Sequence, residues 1–351
     1  MKIVENDKMK LVLSPDYNYK LDKVTGFHAR WGRTYEDDPQ FSPYGPEILD
    51  LEISSGGGCM GNCPFCYKCN GGAAPTYNLT FEQFKTIFHK MPRTLISIAF
   101  GIMNIDTNPE FFEMMAYARQ HGVMPTYTCH GLDMTEEYAR LTAKYCGATA
   151  VSVVDREKTF DTVKMLTDAG LLQTNIHYMF SEETYEGAFE LVEQVAKDPR
   201  TAKLNAIVFL QYKSKGRNPN DYHSVTDLDK YRRLVEHCNK HKVGYGFDSC
   251  SAHSFFAVAE TLTESEREFM KIVSEPCESA LFSSYVNCHG NFFPCSFTEG
   301  DLDGWLIGIN VLDCENFLRD VWHNDRVVEW RKKLLQKKRE CPIYDLSLEK
   351  V

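Results

Sequence analysis

The sequence predicts an α/β fold built on a parallel sheet or barrel, followed by a smaller region of different character. Three observations carry this expectation. Between residues 48 and 247, short runs rich in β-formers alternate with amphipathic helical stretches, the pattern of parallel strands joined by helices. Several of the helical stretches open on start signals with a physical basis. Beyond residue 249 the helical periodicity fades, while Cys250, Cys277, Cys288, Cys295, Cys314 and Cys341 appear. The 351 residues suggest roughly two domains, although one barrel can absorb most of such a chain.

The strands are expected at 48–54, 95–100, 126–129, 148–154, 174–180 and 206–211, with a possible seventh at 243–247. Thr80 with Gln83 forms a capping box, and Leu79 with Phe84 a hydrophobic staple, so a helix should begin at Phe81. Asn108 before Pro109 marks a second start, with a capping side chain and a pre-set φ. Near Tyr185, the residues Ala188, Leu191, Val192, Val195 and Ala196 recur at helical spacing and define a buried face. Leu228, Tyr231, Val235 and Cys238 do the same, which makes Cys238 a core residue rather than a ligand.

Hydrophobic residues at 43% and charged residues at 25% are ordinary for a globular protein. No run is long and apolar enough to span a bilayer, and Met1 to Asp16 has no signal-peptide character, so a cytoplasmic location is expected. In a reducing compartment, an odd total of 13 cysteines reads as metal ligands and small buried residues rather than disulfides. A net charge of −10 disfavours a protein that grips a phosphate backbone. The run Ala29-Arg30-Trp31-Gly32-Arg33 mixes aromatic and basic residues in a way that suits a nucleic-acid strand, but packing against the barrel is the expectation for it.

The most informative run is Gly56-Gly57-Gly58-Cys59-Met60-Gly61-Asn62-Cys63-Pro64-Phe65-Cys66, which directly follows the first strand. Its three thiolates can converge on one soft metal centre. A four-iron cubane held by three cysteines leaves one iron without a protein ligand. A structural zinc site completed by Cys69 is the alternative, since Cys66 and Cys69 have zinc-ligand spacing.

The C-x3-C-x2-C spacing, with Phe65 before the last cysteine, resembles the signature of the radical S-adenosylmethionine superfamily. The resemblance implies that Cys59, Cys63 and Cys66 hold a 4Fe-4S cluster whose open iron is chelated by S-adenosylmethionine. Reductive cleavage of that cofactor then gives a 5'-deoxyadenosyl radical that abstracts a substrate hydrogen. It also implies a partial (β/α)6 TIM-like barrel over residues 45–249, with Phe65 packed on the adenine. After the second strand the family carries a Gly-Gly-Glu-like motif that binds the methionyl amine. Here the acid is missing, and only the backbone near Gly101 and Asn104 takes that role. Family precedent puts ribose or carboxylate contacts at the end of the fourth strand, which points to Ser152.

In parallel barrels the reactive groups gather at the carboxyl ends of the strands. Thr128, His130, Asp155 and His177 share that rim, although Asp155 suits a helix cap and a strand histidine is commonly a satisfied core group. The run Tyr212-Lys213-Ser214-Lys215-Gly216-Arg217 follows the sixth strand and is either an anion-binding loop or a solvated one.

The later element Gly290-Asn291-Phe292-Phe293-Pro294-Cys295 resembles the opening of SPASM and twitch extensions. That implies a small α+β domain over 250–351 with a second, auxiliary 4Fe-4S cluster on Cys250, Cys277, Cys295 and Cys341. Cys288 and Cys314 compete for a place in the set, and zinc competes with the cluster. Residues 1–44 form an extension unlike either family element. Asp248, beside Cys250, is the candidate catalytic residue, to take a proton or fix the substrate. A flavodoxin- or ferredoxin-type donor is expected, since no flavin or nicotinamide motif is evident. Peptide or protein modification is the leading expectation. Oxidation of a small molecule is the second, and a non-enzymatic zinc or iron-sulfur module that binds nucleic acid is the third.

Overall fold

The structure, a computed structural model, describes residues 1–24, 27–301 and 304–348, so the end of the expected auxiliary region lies outside the described residues. The amino-terminal extension folds into an antiparallel meander of β1 (Lys2–Glu5), β2 (Met9–Leu13), β3 (Asn18–Asp22) and β4 (His28–Trp31). Its inner face docks on the body of the protein as expected. Lys10 Nζ donates to the Leu95 carbonyl at 2.7 Å, and the Tyr19 hydroxyl to that of Thr94 at 2.5 Å. Arg30 lies 3.4 Å over the Phe282 ring and pairs with Glu47 at 2.9 Å and with Glu278 at 2.6 Å. The run therefore spends Arg30 on buried ion pairs, while Arg33 makes an exposed pair with Asp16 at 2.6 Å. Arg30→Ala leaves Glu47 buried beside Tyr17 alone and is expected to cost about 3–5 kcal/mol, read from the urea midpoint. An unchanged midpoint would count against that account.

The main sheet has ten strands in the order β13-β12-β11-β10-β9-β8-β5-β14-β15-β16. Its parallel part is β5 (Ile48–Glu52), β8 (Ser97–Gly101), β9 (Met124–Cys129), β10 (Ala148–Ser152), β11 (Gln173–Phe180), β12 (Ala206–Gln211) and β13 (Tyr245–Phe247). The seventh strand is therefore present. The connecting helices are α1 (Phe81–Lys90), α2 (Phe111–Gln120), α3 (Glu136–Tyr145), α4 (Arg156–Asp168), α5 (Tyr185–Lys197) and α6 (Leu228–His241). This is a mixed α/β fold with a largely parallel sheet, a partial TIM-like barrel. Beyond it come α7 (Ala252–Ala259) and α8 (Glu264–Val273), β14 (Ser283–Val286), β15 (Asn291–Phe293) and β16 (Ile309–Asn310), then α9 (Asp325–Gln336). β14 pairs parallel with β5, so the sheet runs on across residue 250 without a break.

Strand alternation sorts the side chains. On β11, Ile176 and Phe180 are fully buried under the helices, while Asn175, His177 and Met179 face the interior. Register then aligns the rim: Glu52 sits opposite Gly101, Gly101 opposite Thr128, and Ser152 opposite His177.

Two boundaries differ from expectation. The first strand ends at Glu52, and Ser54–Ser55 (β6) leaves to pair antiparallel with Tyr77–Asn78 (β7), closing the cysteine loop between them. Asn108 Oδ1 accepts from the Glu110 amide at 3.0 Å as a cap would, but regular helix α2 starts only at Phe111. The Asn108 side-chain amide donates to the Ile53 and Leu79 carbonyls, both at 2.9 Å. The capping box at Thr80 is present in full. Among the described residues no helix is long and apolar enough to cross a membrane.

Candidate functional site

A cavity of about 650 Å³ opens at the carboxyl ends of the parallel strands. Cys59, Cys63 and Cys66 all line it, as do Phe65, Gly101, Ser152 and His177. Burial pushes the Cys63 thiol up to about 11, and the charges of Cys66 and Cys59 add to this. Three thiolates on the wall of one cavity favour a shared cation, so the donor set by its chemistry suits a soft metal centre. Cys69 is exposed and does not line the cavity, so the closed four-sulfur zinc arrangement finds no support in this geometry.

The cysteine loop is held from two sides. Asn104 accepts from the Met60 amide at 2.9 Å and donates to the Gly58 carbonyl at 3.0 Å. His130 fixes Asn104 in turn. The Leu132 amide donates to His130 Nδ1, so the neutral ring carries its proton on Nε2, 3.0 Å from Asn104 Oδ1. Asn104, expected near the cofactor amine, thus spends its side chain on the loop. Arg217 grips the other side, donating to Asn62 Oδ1 at 2.6 Å, to the Cys63 carbonyl at 3.1 Å and to the Asn70 carbonyl at 2.8 Å. The 212–217 run is therefore a clamp on the cysteine loop, not a free anion site. Asn104→Ala removes two hydrogen bonds worth ~1 kcal/mol each and is expected to speed amide exchange around Gly58 to Asn62 roughly 30-fold. Unchanged exchange there would remove Asn104 from this role.

The interior of the barrel carries charge that the strand pattern of β5 marks only locally. On β5 the alternation in Ile48-Leu49-Asp50-Leu51-Glu52 turns the leucines toward the helices and Asp50 and Glu52 toward the cavity. Glu52 pairs with Lys68 at 3.0 Å, and Lys68 also pairs with Glu299. The Tyr285 hydroxyl bridges the two carboxylates at 3.1 and 3.2 Å. Burial works to lower the Lys68 ammonium, but Glu52 and Glu299 outweigh it and raise it.

Asp50 has no such partner, and burial together with the Glu278 charge pushes its carboxyl up to about 7. The folded value lies above the ordinary one near 4, so the stability tied to this proton is full below that point. It is lost as pH rises through about 7. Asp50→Asn is expected to raise the melting temperature relative to the parent more at about pH 8 than at about pH 5. A gap that does not grow with pH would refute this. Burial likewise drives His177 down to about 4, so it is a neutral imidazole at physiological pH.

Asp248 follows β13 and does not line the cavity. Its carboxylate accepts from Ser251 Oγ at 2.7 Å and from the Gln211 amide at 3.3 Å, and pairs with buried Lys213 at 3.1 Å. A carboxylate with these partners anchors the turn into α7 rather than standing free as a base. Beyond it, the four cysteines expected to form the second set act on one another through their charges. Removal from water is the first cause that raises the Cys250 thiol, followed by Lys213, which opposes it, and by the charges of Asp248, Cys277 and Cys341. Cys295 is pushed up to about 12 by burial, then by Cys277 and Cys341. Each of these thiolates thus lies within electrostatic reach of others in the set. The competitors lie elsewhere: the Cys288 amide donates to Glu52 at 3.3 Å, and Cys314 Sγ faces the Val311 carbonyl at 3.2 Å.

The loop after β12 joins the two cysteine groups. Arg217 holds the first, while Lys215 donates to the carbonyls of Phe297 at 3.0 Å and Glu299 at 2.7 Å, just past Cys295.

No family model and no curated protein matches the sequence. Among solved structures, native anSMEcpe with bound AdoMet and the Cp18Cys peptide is similar at a TM-score of 0.58 and 14% identity. That match covers 82% of this chain and 83% of the other. A histidine-tagged form of anSMEcpe with bound AdoMet gives a TM-score of 0.58 at 16% identity, covering 82% and 80%. The likeness concerns the fold: this chain shares with these structures a mixed α/β architecture built on a largely parallel sheet.

Proposed function

We propose that this chain is a radical S-adenosylmethionine enzyme that modifies a peptide or protein. The observation that carries the reading is the arrangement of Cys59, Cys63 and Cys66 on the wall of one cavity at the carboxyl ends of the parallel strands. When bound there, a 4Fe-4S cluster with S-adenosylmethionine supplies a 5'-deoxyadenosyl radical that takes a hydrogen atom from the substrate.

The chain's own residues hold and enclose that chemistry. Cys59, Cys63 and Cys66 are the cluster ligands, and Asn104, His130 and Arg217 keep their loop in place. Phe65 is assigned to the adenine, the backbone at Gly101 to the methionyl amine, and Ser152 to the ribose or carboxylate. The barrel wall keeps water from the reacting centre. Lys68, fixed between Glu52 and Glu299, holds a positive charge on the cavity wall. Residues 45–249 form the radical unit and 250–351 the auxiliary unit, with a second 4Fe-4S cluster on Cys250, Cys277, Cys295 and Cys341. Asp248 is assigned to holding Lys213 beside that second set. The electron comes from a flavodoxin- or ferredoxin-type donor. Support for a peptide substrate comes from the similar anSMEcpe, solved with a peptide bound.

The test is anaerobic reconstitution with iron and sulfide, then dithionite reduction with S-adenosylmethionine. The expected result is about eight irons per chain and release of 5'-deoxyadenosine. Bound zinc with no cofactor cleavage would sink the reading. Hydrogen transfer from a deuterated peptide library into deoxyadenosine then tests the substrate class. Its absence, with cofactor cleavage intact, would favour a small molecule, for which a 650 Å³ cavity is also an ordinary size.

A further inference from the structure

Helices α5 and α6 pack side by side on the outer face of the barrel, away from both cysteine groups. His237 and His241 stand four residues apart on α6, so both imidazoles project from one face. Their ring centroids are 4.5 Å apart. Across the groove, Glu193 of α5 faces them. One ligand atom from each of the three residues lies within 4.8 Å of the other two. Two donors on a tetrahedral ion, each bonded at about 2.0–2.2 Å, lie about 3.3–3.6 Å apart, so modest side-chain rotations bring all three onto one ion.

The polar chemistry of this group is incomplete. His237 Nε2 is buried and has no hydrogen-bond partner. The nearest carboxylate oxygen, Glu193 Oε1, is 3.7 Å away, too far for a hydrogen bond. Nε2 thus faces a carboxylate oxygen without bonding it. A cation between the two turns this empty approach into two bonds. Glu193 Oε2 lies 3.5 Å from Lys197 Nζ, which leaves Oε1 for the ion.

We propose that Glu193, His237 and His241 form a site for one divalent transition-metal ion on the outside of the barrel. Two imidazoles and a carboxylate select zinc, nickel, cobalt or copper over the oxygen-seeking calcium and magnesium. Three protein ligands leave the remaining positions to water, and the ion links α5 to α6.

Cobalt(II), added anaerobically to the cluster-loaded protein, is the probe. One ion per chain is expected, with ligand-field bands in the difference spectrum against the cobalt-free protein, no added thiolate-to-cobalt charge transfer, and a raised melting temperature. His241→Ala and Glu193→Gln are each expected to weaken that binding at least about ten-fold while iron content and circular dichroism stay as in the parent. No binding, equal affinity in parent and variants, or cobalt whose spectrum shows thiolate ligation overturns the site.

Discussion

Cys63→Ala is expected to reduce 5'-deoxyadenosine release to background and to lower the iron content from about eight to about four per chain. The effect is large because the three thiols form a minimal set. With Cys69 exposed and off the cavity, no neighbouring sulfur on the loop takes the vacated place. Asn104, His130 and Arg217 would still hold the loop, so the fold should persist and circular dichroism should match the parent. Cys69→Ala is the control, expected to keep both the iron and the activity. If Cys69→Ala lost the same irons as Cys63→Ala, the site would be a closed four-sulfur one and the radical reading would fail.

Cys341→Ala is expected to remove the other four irons, about half the total, while 5'-deoxyadenosine release continues at the first site. Cys341 follows α9, and its charge bears on Cys250, Cys277 and Cys295, so losing it opens that set alone. Substrate turnover should fall sharply even though the cofactor is still cleaved. Cys288→Ala and Cys314→Ala are expected to keep all the iron, since those thiols stand by Glu52 and by Val311. Full iron in Cys341→Ala, or a halved count in Cys288→Ala, would reassign the ligands.

The strands and most helices were legible because their signals are local. Apolar alternation gave β11, and Thr80 with Gln83 gave the start of α1. The cysteine loop was legible because its spacing is compressed into eight residues. What resisted reading depends on partners far along the chain. Asn108 reads as a helix cap, and its oxygen does accept from Glu110, but nothing local shows that its NH2 also ties Ile53 and Leu79 together. Arg217 reads as a solvated cation until the fold brings Cys63 and Asn70 to it across some 150 residues. Asp248 reads as a free acid for the same reason, because Lys213 is distant in sequence. Asp50 and Glu52 did leave a local trace, since two acids in the inward phase of an apolar strand mark a charged interior. The choice of Cys250, Cys277, Cys295 and Cys341 over Cys288 and Cys314 rested on resemblance, as spacing alone does not distinguish them.

The parallel pairing of β14 with β5 bears on the order in which the protein can mature. Until residue 286 has left the ribosome, the strand that carries the cysteine loop has one flank without a neighbour, and its peptide groups on that side stay open to water or to other chains. Lys68 likewise waits for Glu299 and Tyr285. The first cysteine triad and its clasp of Asn104, His130 and Arg217 are translated early, but the strand that leads into it gains its second neighbour only when the last third of the chain has been made. A chain ending near residue 250 keeps that clasp but leaves β5 as an open edge beside the cysteine loop.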